Sequence, residues 1–301
     1  MGWGWGLALS GGGLMGAAHL GVLQAFGEWG LVPDVWSGAS AGGLVAGVLA
    51  AGGTLPALLA YGAEVGRRPL AYLRPRAVSL AAELLPHDPL PPADSLFDSR
   101  PFVEGLVCLC PAPQAITQWR QPTALTAVDL AALRPVAFVR GPDGAWLPPR
   151  GHWRIVGSCD LGLALGATMA MPGVFSPQRA SPGGVPEFLV DGGVGDELPV
   201  DWAVSLGADR VIAVDVARAA PGLPPRVGLS WVLGRSTDYI TAAVSRLRRP
   251  PRVPVLTLAP ETAGVPPWDF SQFGRLVGIG YAAALACRDE VLEFLADGAA
   301  R

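Results

Sequence analysis

Val35-Trp36-Ser37-Gly38-Ala39-Ser40-Ala41-Gly42-Gly43-Leu44-Val45-Ala46-Gly47 is the stretch on which the reading of this chain turns. A short apolar run ends at Gly38, and an apolar run of helical character begins at Ala41. Ser40 therefore stands on the corner between a strand over Asp34 to Gly38 and a helix over Ala41 to Ala51. Gly38, Ala39, Ala41 and Gly42 carry little or no side chain, as a sharp strand-to-helix turn requires if a serine hydroxyl is to stand exposed at a helix N-terminus. The segment fits the G-x-S-x-G nucleophile elbow. In a chain with 40 glycines the motif also arises by composition. Its weight comes from its place between strand and helix, and from a second glycine turn one strand-helix unit upstream.

That upstream turn follows a strand over Trp5 to Ser10 and reads Gly11-Gly12-Gly13-Leu14-Met15-Gly16, leading into a helix with His19, Val22, Leu23 and Phe26 on one face. Unobstructed N–H groups at a helix start bind anions, either a nucleotide phosphate or the oxyanion of a tetrahedral acyl intermediate. Gly11, Gly13 and Gly16 fit the dinucleotide fingerprint, with Asp34 at about the right distance downstream. Against that rival, the ribose-binding acid belongs at the C-terminal end of the second strand. Asp34 instead precedes a strand that ends in Ser37-Gly38.

Further along, strands are expected at Thr123 to Val128, Pro135 to Arg140, Trp153 to Gly157, Glu187 to Val190, Arg210 to Val216 and Val253 to Leu258. Helices are expected at Leu161 to Met169, Pro199 to Leu206 and, at the C-terminus, Gln272 to Ala296. Strands alternating with helices imply an α/β fold with a mostly parallel sheet covered on both faces. Residues 1–301 read as a single domain. Residues 67–101, rich in proline and charge, read as a surface excursion or lid with some helix in it. Residues 35–63 contain no charge, but glycines and Pro56 break the run into separate elements, so it reads as a buried segment rather than a membrane span.

A serine nucleophile needs a base. The three histidines, His19, His87 and His152, all precede the best late acid, unlike the Ser, acid, His order of ordinary α/β-hydrolases. His19 lies on an apolar helix face and reads as a core histidine; His87 and His152 lie in loop-like surroundings. Asp191 ends the apolar run Phe188-Leu189-Val190 and is followed by Gly192-Gly193, with no side chains to crowd it. A carboxylate at such a strand end has its proton affinity raised, which suits a general base for a hydroxyl. The competing reading is an Asp in an ordinary turn.

Bulk composition narrows the partners. Half of the residues are hydrophobic, mean hydropathy is +0.38 and net charge is −3, so no global field points toward nucleic acid. All 22 basic residues are arginine. The cluster Arg246, Arg248, Arg249 and Arg252, interrupted by prolines, reads as a solvated surface. Cys108, Cys110, Cys159 and Cys287 lack the paired spacing of a zinc site and read as reduced thiols. The N-terminus has no basic n-region, and Gly6 stands where a myristoylation signal wants Ser or Thr. A cytoplasmic protein, peripheral to a membrane where its substrate lies there, is expected.

Taken together, the glycine loop Gly11 to Gly16, the elbow Gly38 to Gly42 and the Asp191-Gly192-Gly193 turn resemble the patatin-like phospholipase family in its bacterial form. Ala167-Thr168-Met169-Ala170-Met171-Pro172-Gly173-Val174-Phe175 resembles the family's segment before the catalytic Asp. Leu198 to Asp201 and Leu206 to Asp215 resemble its helix-to-strand passage, and Thr126 to Leu130 loosely resembles another strand end. The blocks span roughly residues 5–60 and 120–216, in order. The resemblance implies a three-layer α/β/α sandwich and hydrolysis of acyl esters of phospholipids, lysophospholipids or neutral lipids, without metal or cofactor. It implies that Ser40 attacks, Asp191 takes its proton, and N–H groups of Gly11, Gly12 and Gly13, with Ala41, hold the oxyanion. One departure stands out: Met15 occupies the place where the family's loop usually carries Arg or Lys. A catalytically weak lipid-binding or regulatory protein on the same fold, and a general esterase or thioesterase for soluble acyl substrates, are the alternatives.

Overall fold

The computed structural model describes residues 3–77, 94–111, 115–144, 146–180, 187–217, 228–247, 252–266 and 268–299. The chain begins with β1 (Trp3–Leu9), α1 (Ala17–Glu28), β2 (Val35–Gly38) and α2 (Ser40–Ala50). It continues through α3 (Leu55–Arg67), α4 (Pro69–Tyr72), β3 (Arg74–Pro75), β4 (Ser95–Asp98), α5 (Arg100–Val107), β5 (Thr123–Asp129), β6 (Arg134–Arg140) and β7 (Arg154–Val156). Then come α6 (Leu161–Thr168), β8 (Gly173–Phe175), β9 (Gln178–Ala180), β10 (Glu187–Asp191), α7 (Val200–Ser205) and β11 (Ala208–Val214). The last elements are α8 (Leu229–Leu247), β12 (Val255–Leu258), α9 (Phe273–Ala286) and α10 (Arg288–Ala299).

Nine strands form the central sheet, in the order β12-β11-β1-β2-β5-β10-β9, with β6 and then β7 on the other edge of β5. From β12 to β5 every pairing is parallel. Period-2 alternation sends neighbouring residues of β1 to opposite faces: Leu7 and Leu9 join one core, with Ile212 and Val214 of β11, while Ala8 joins another with Val211. Helices α1, α2, α6 and α9 contribute to the first core, and Trp202, Ala203 and Leu206 at α7 fill the second. The fold is thus the expected α/β arrangement of three layers around a mostly parallel sheet. At β5 the pairing turns antiparallel, because β6 returns directly after β5 and β10 enters from the opposite direction, while β7 lies parallel to β6.

One edge of β5 carries two strands. Gly38 of β2 pairs with Leu125, and Asp191 of β10 pairs with Ala127 two residues further along. β6 occupies the whole opposite edge. The C-terminal ends of β2 and β10 therefore meet head-on.

The segment expected as one helix over 272–296 is two, because the backbone leaves the helical region at Cys287 and α10 restarts with Asp289 and Glu290 in its first turn. Of the excursion at 67–101, residues 78–93 lie outside the described residues. Its two ends are held together by a small second sheet, β3-β4-β8. Among the described residues no helix is long and apolar enough to cross a membrane.

Candidate active site

Ser40 opens α2 at a backbone φ of +50°, a region a non-glycine residue enters only when its surroundings enforce it. Those surroundings are the end of β1. The Ala39 N–H donates to the Leu9 carbonyl at 3.2 Å and the Gly42 N–H to the Ser10 carbonyl at 3.1 Å. A Cβ on Gly42 would come within 2.6 Å of that Ser10 oxygen, so the elbow sits this tightly only with glycine there. The Ser40 N–H donates to Oγ1 of the fully buried Thr168 at 3.0 Å, tying the corner to the end of α6.

Across the head-on junction, Ser40 Oγ donates to Asp191 Oδ2 at 2.6 Å. Both residues are buried, at 6% and 5% exposure. Asp191 is held by its own N–H, given to the Ala170 carbonyl at 3.0 Å, and by Oδ1, which accepts the Gly193 N–H at 2.7 Å. Gly192 backs directly onto the Thr126 backbone of β5. Burial lifts the Asp191 carboxyl to about 6, and the hydrogen bonds from Ser40 and Gly193 pull in the opposite direction without cancelling it. The result is a carboxylate more basic than a solvated one, bonded to the serine hydroxyl.

The glycine loop lies beside this pair. Gly12 has φ +144° and Gly13 φ +56°, conformations that suit glycine, and Gly13 to Gly16 form a 3₁₀ turn in which Gly16 packs on the Cβ of Ala41. Gly11 does not offer the N–H expected of it, because that group already donates to the Glu197 carbonyl at 2.9 Å. The N–H groups of Gly12, Gly13 and Ala41 have no acceptor among the described residues. Space above Gly13 is open, with nothing within 4 Å of where a Cβ would stand. The geometry thus brings Ser40, Asp191 and the glycine loop together, but narrows the open donors from four to three.

Two contributors went unnoticed in the sequence. Thr168 lies inside a quoted motif, yet a threonine in an apolar helix carries no sign that its hydroxyl accepts a bond from 128 residues away. Ser10 clasps the loop: its Oγ donates to the Gly11 carbonyl at 2.8 Å and accepts the Val216 N–H at 2.9 Å. His19 is the core histidine expected. It is fully buried, its Nε2 lies 2.9 Å from the Ser10 carbonyl, and burial pushes it down to about 4, which keeps it neutral. His152 is exposed, and His87 lies outside the described residues. Met15 is partly buried against Ala17, Val265 and Leu276, so it serves as packing where a cation would have to reach solvent.

A model of the patatin-like phospholipase family matches residues 7–204, a range that includes the glycine loop, the elbow and the Asp-Gly-Gly turn. An uncharacterised NTE family protein of Mycobacterium tuberculosis is 32% identical over 252 residues, covering 81% of this chain and 60% of the relative. Patatin-like phospholipase domain-containing protein 7 of Rattus norvegicus is 28% identical over 215 residues, covering 70% of this chain and 13% of that much longer protein. Among solved structures, VipD from Legionella pneumophila aligns with 96% of this chain and 67% of its own at 14% identity and a TM-score of 0.47, a likeness on which nothing here rests. The chain spans about 60% of the length of the mycobacterial relatives it matches. On the family match and its span, the chain belongs to the patatin-like phospholipase family.

Proposed function

We propose that this protein is a serine acyl-hydrolase that cleaves acyl esters of phospholipids, lysophospholipids or related lipids with a Ser40/Asp191 dyad. The observation that carries the reading is the buried 2.6 Å hydrogen bond from Ser40 Oγ to a carboxylate lifted to about 6. Ser40 Oγ attacks the ester carbonyl carbon while its proton passes to Asp191 Oδ2. The oxyanion is received by the N–H groups of Gly12, Gly13 and Ala41. Collapse breaks the bond to the alcohol, which leaves with the proton from Asp191, and the acyl group stays on Ser40. Water then attacks the acyl-enzyme, giving its proton to Asp191, and the fatty acid departs as Ser40 is reprotonated.

A fluorophosphonate probe tests this directly. Wild-type protein labels; Ser40→Ala abolishes labelling, and Asp191→Asn reduces it by about 10²-fold or more. A folded wild type that does not label overturns the hydrolase reading. It favours instead a lipid-binding protein of low catalytic competence, the reading to which the packed, uncharged Met15 lends support. Profiling acyl-chain length and headgroup separates a lipid hydrolase from an esterase or thioesterase for soluble substrates.

A further inference from the structure

α8 is the crossover between β11 and β12, a place where a helix normally buries one face on the sheet and presents a polar one outward. Among its described side chains Thr241 is buried, whereas Val232, Tyr239 and Ile240 are 44%, 71% and 59% exposed. At 3.6 residues per turn Val232, Ser236 and Tyr239 fall in one line, with Ile240 beside them and Thr241 on the opposite side. Val232, Tyr239 and Ile240 thus stand on the outward stripe, and Val244, 39% exposed, lies off it toward Thr241. Single exposed apolar residues are ordinary, but a contiguous stripe along several turns marks a contact surface.

Charge and position indicate its partner. Arg235 borders the stripe, Arg246 belongs to the same helix about three turns further on, and Asp238 is the single acid in the α8 sequence. Arg252, just past the helix, is exposed. Aliphatic side chains beside an amphipathic tyrosine, on a helix whose sequence holds two arginines and one acid, match the interface of an anionic bilayer: the aliphatics enter the acyl boundary and the tyrosine lies at headgroup level, on a helix whose net charge favours phosphates. α8 also packs against Gly192–Val194, the turn that follows Asp191. We infer that the outward stripe of α8 docks the protein on an anionic phospholipid surface, bringing the Ser40/Asp191 site to its substrate. The purpose of this docking rests on the lipid-hydrolase reading, but its occurrence is measured separately.

The test is co-sedimentation of the full chain carrying Ser40→Ala, so that vesicles are not consumed, with vesicles of phosphatidylcholine alone or mixed with phosphatidylglycerol. The Ser40→Ala protein should bind the mixed vesicles, and Tyr239→Ser combined with Ile240→Ser should weaken that binding about tenfold or more. Arg235→Glu should weaken it on anionic vesicles, and added salt should mimic that loss. Tyr239 and Ile240 are exposed and Arg235 is half-buried, so the thermal midpoint of each variant is measured alongside, and an unchanged midpoint shows that folding is not the cause. Absence of binding to anionic vesicles, or equal binding by the double variant, overturns the proposal. A dimer in solution that the double variant dissociates, with no vesicle binding, assigns the stripe to a second copy of the chain and overturns it too. Fluorophosphonate labelling, read without vesicles, reports on the hydrolase reading independently.

Discussion

Asp191 is destabilising where it is useful. Its carboxyl is raised from 3.8 to about 6 by burial, so its protonated form is the one the native state favours. Below about pH 4 both folded and unfolded chains hold that proton, and the native state keeps its full stability. As pH rises through 6 the group must ionise inside the protein, and a contribution of about 3 kcal/mol is lost. Asp191→Asn should therefore be more stable than wild type at pH 8, with the gap in denaturation midpoint closing toward pH 4. A gap that does not vary with pH contradicts this. Activity runs the other way: kcat/KM should fall below about pH 6 as Asp191 Oδ2 takes up a proton and ceases to act as a base, whereas a profile flat from pH 5 to 8 would rule out Asp191 in that role. Ser40 and Asp191 were legible in the sequence as candidates because Ser40 stands among Gly38, Ala39, Ala41 and Gly42 at a strand-to-helix corner, and Asp191 ends an apolar run just before Gly192-Gly193. Thr168 and Ser10 were not, since a buried hydroxyl reveals its partner only when the chain has closed on it. Nor was the occupied N–H of Gly11, whose acceptor lies on Glu197, a distant part of the chain.

Helices α1 and α9 cross in backbone contact, a feature absent from any local pattern. A Cβ on Gly280 would run into the Ala18 carbonyl, and one on Gly21 into the Val277 carbonyl. Two effects of Gly280→Ala oppose each other: alanine favours the helix by about 1 kcal/mol, and the clash costs about 1–3 kcal/mol. The clash is against backbone, which yields least, so Gly280→Ala should lower the thermal midpoint. Gly278→Ala in the same helix meets nothing within 4 Å and should raise it. If both variants raise the midpoint, the crossing is looser than described. β1, β2, β5, β6, β7, β10 and β11 with α1, α2, α6 and α7 were marked in the sequence, where apolar runs alternate between two periods, but α5, β8 and β9 were not. The C-terminal stretch was less so: apolar residues continue across Cys287, and only the backbone there, with two acids starting the next helix, parts α9 from α10. α8 went unassigned.

At the scale of the molecule, β1, β2, β5 and β11 each have neighbours on both edges and lie between two helical layers. Their amides should be the last to exchange with solvent hydrogen, well after those of α8 and α10; rapid exchange in β1 would contradict this core. Alternation of strand and helix announced the parallel half of the sheet, but the antiparallel half has no such sign, because nothing in the run Glu187–Asp191 states its direction. That direction matters most at the junction where β2 and β10 meet on one edge of β5. The gap between Ser40 and Asp191 is set by the rungs of a third strand, not by the loops that lead to them. A two-residue slip of β10 would displace the acid by about 7 Å, and a one-residue slip would turn it to the opposite face. Loops around the site are thus free to lengthen, shorten or change partner surfaces over evolutionary time, while the spacing of Ser40 and Asp191 stays gauged by β5.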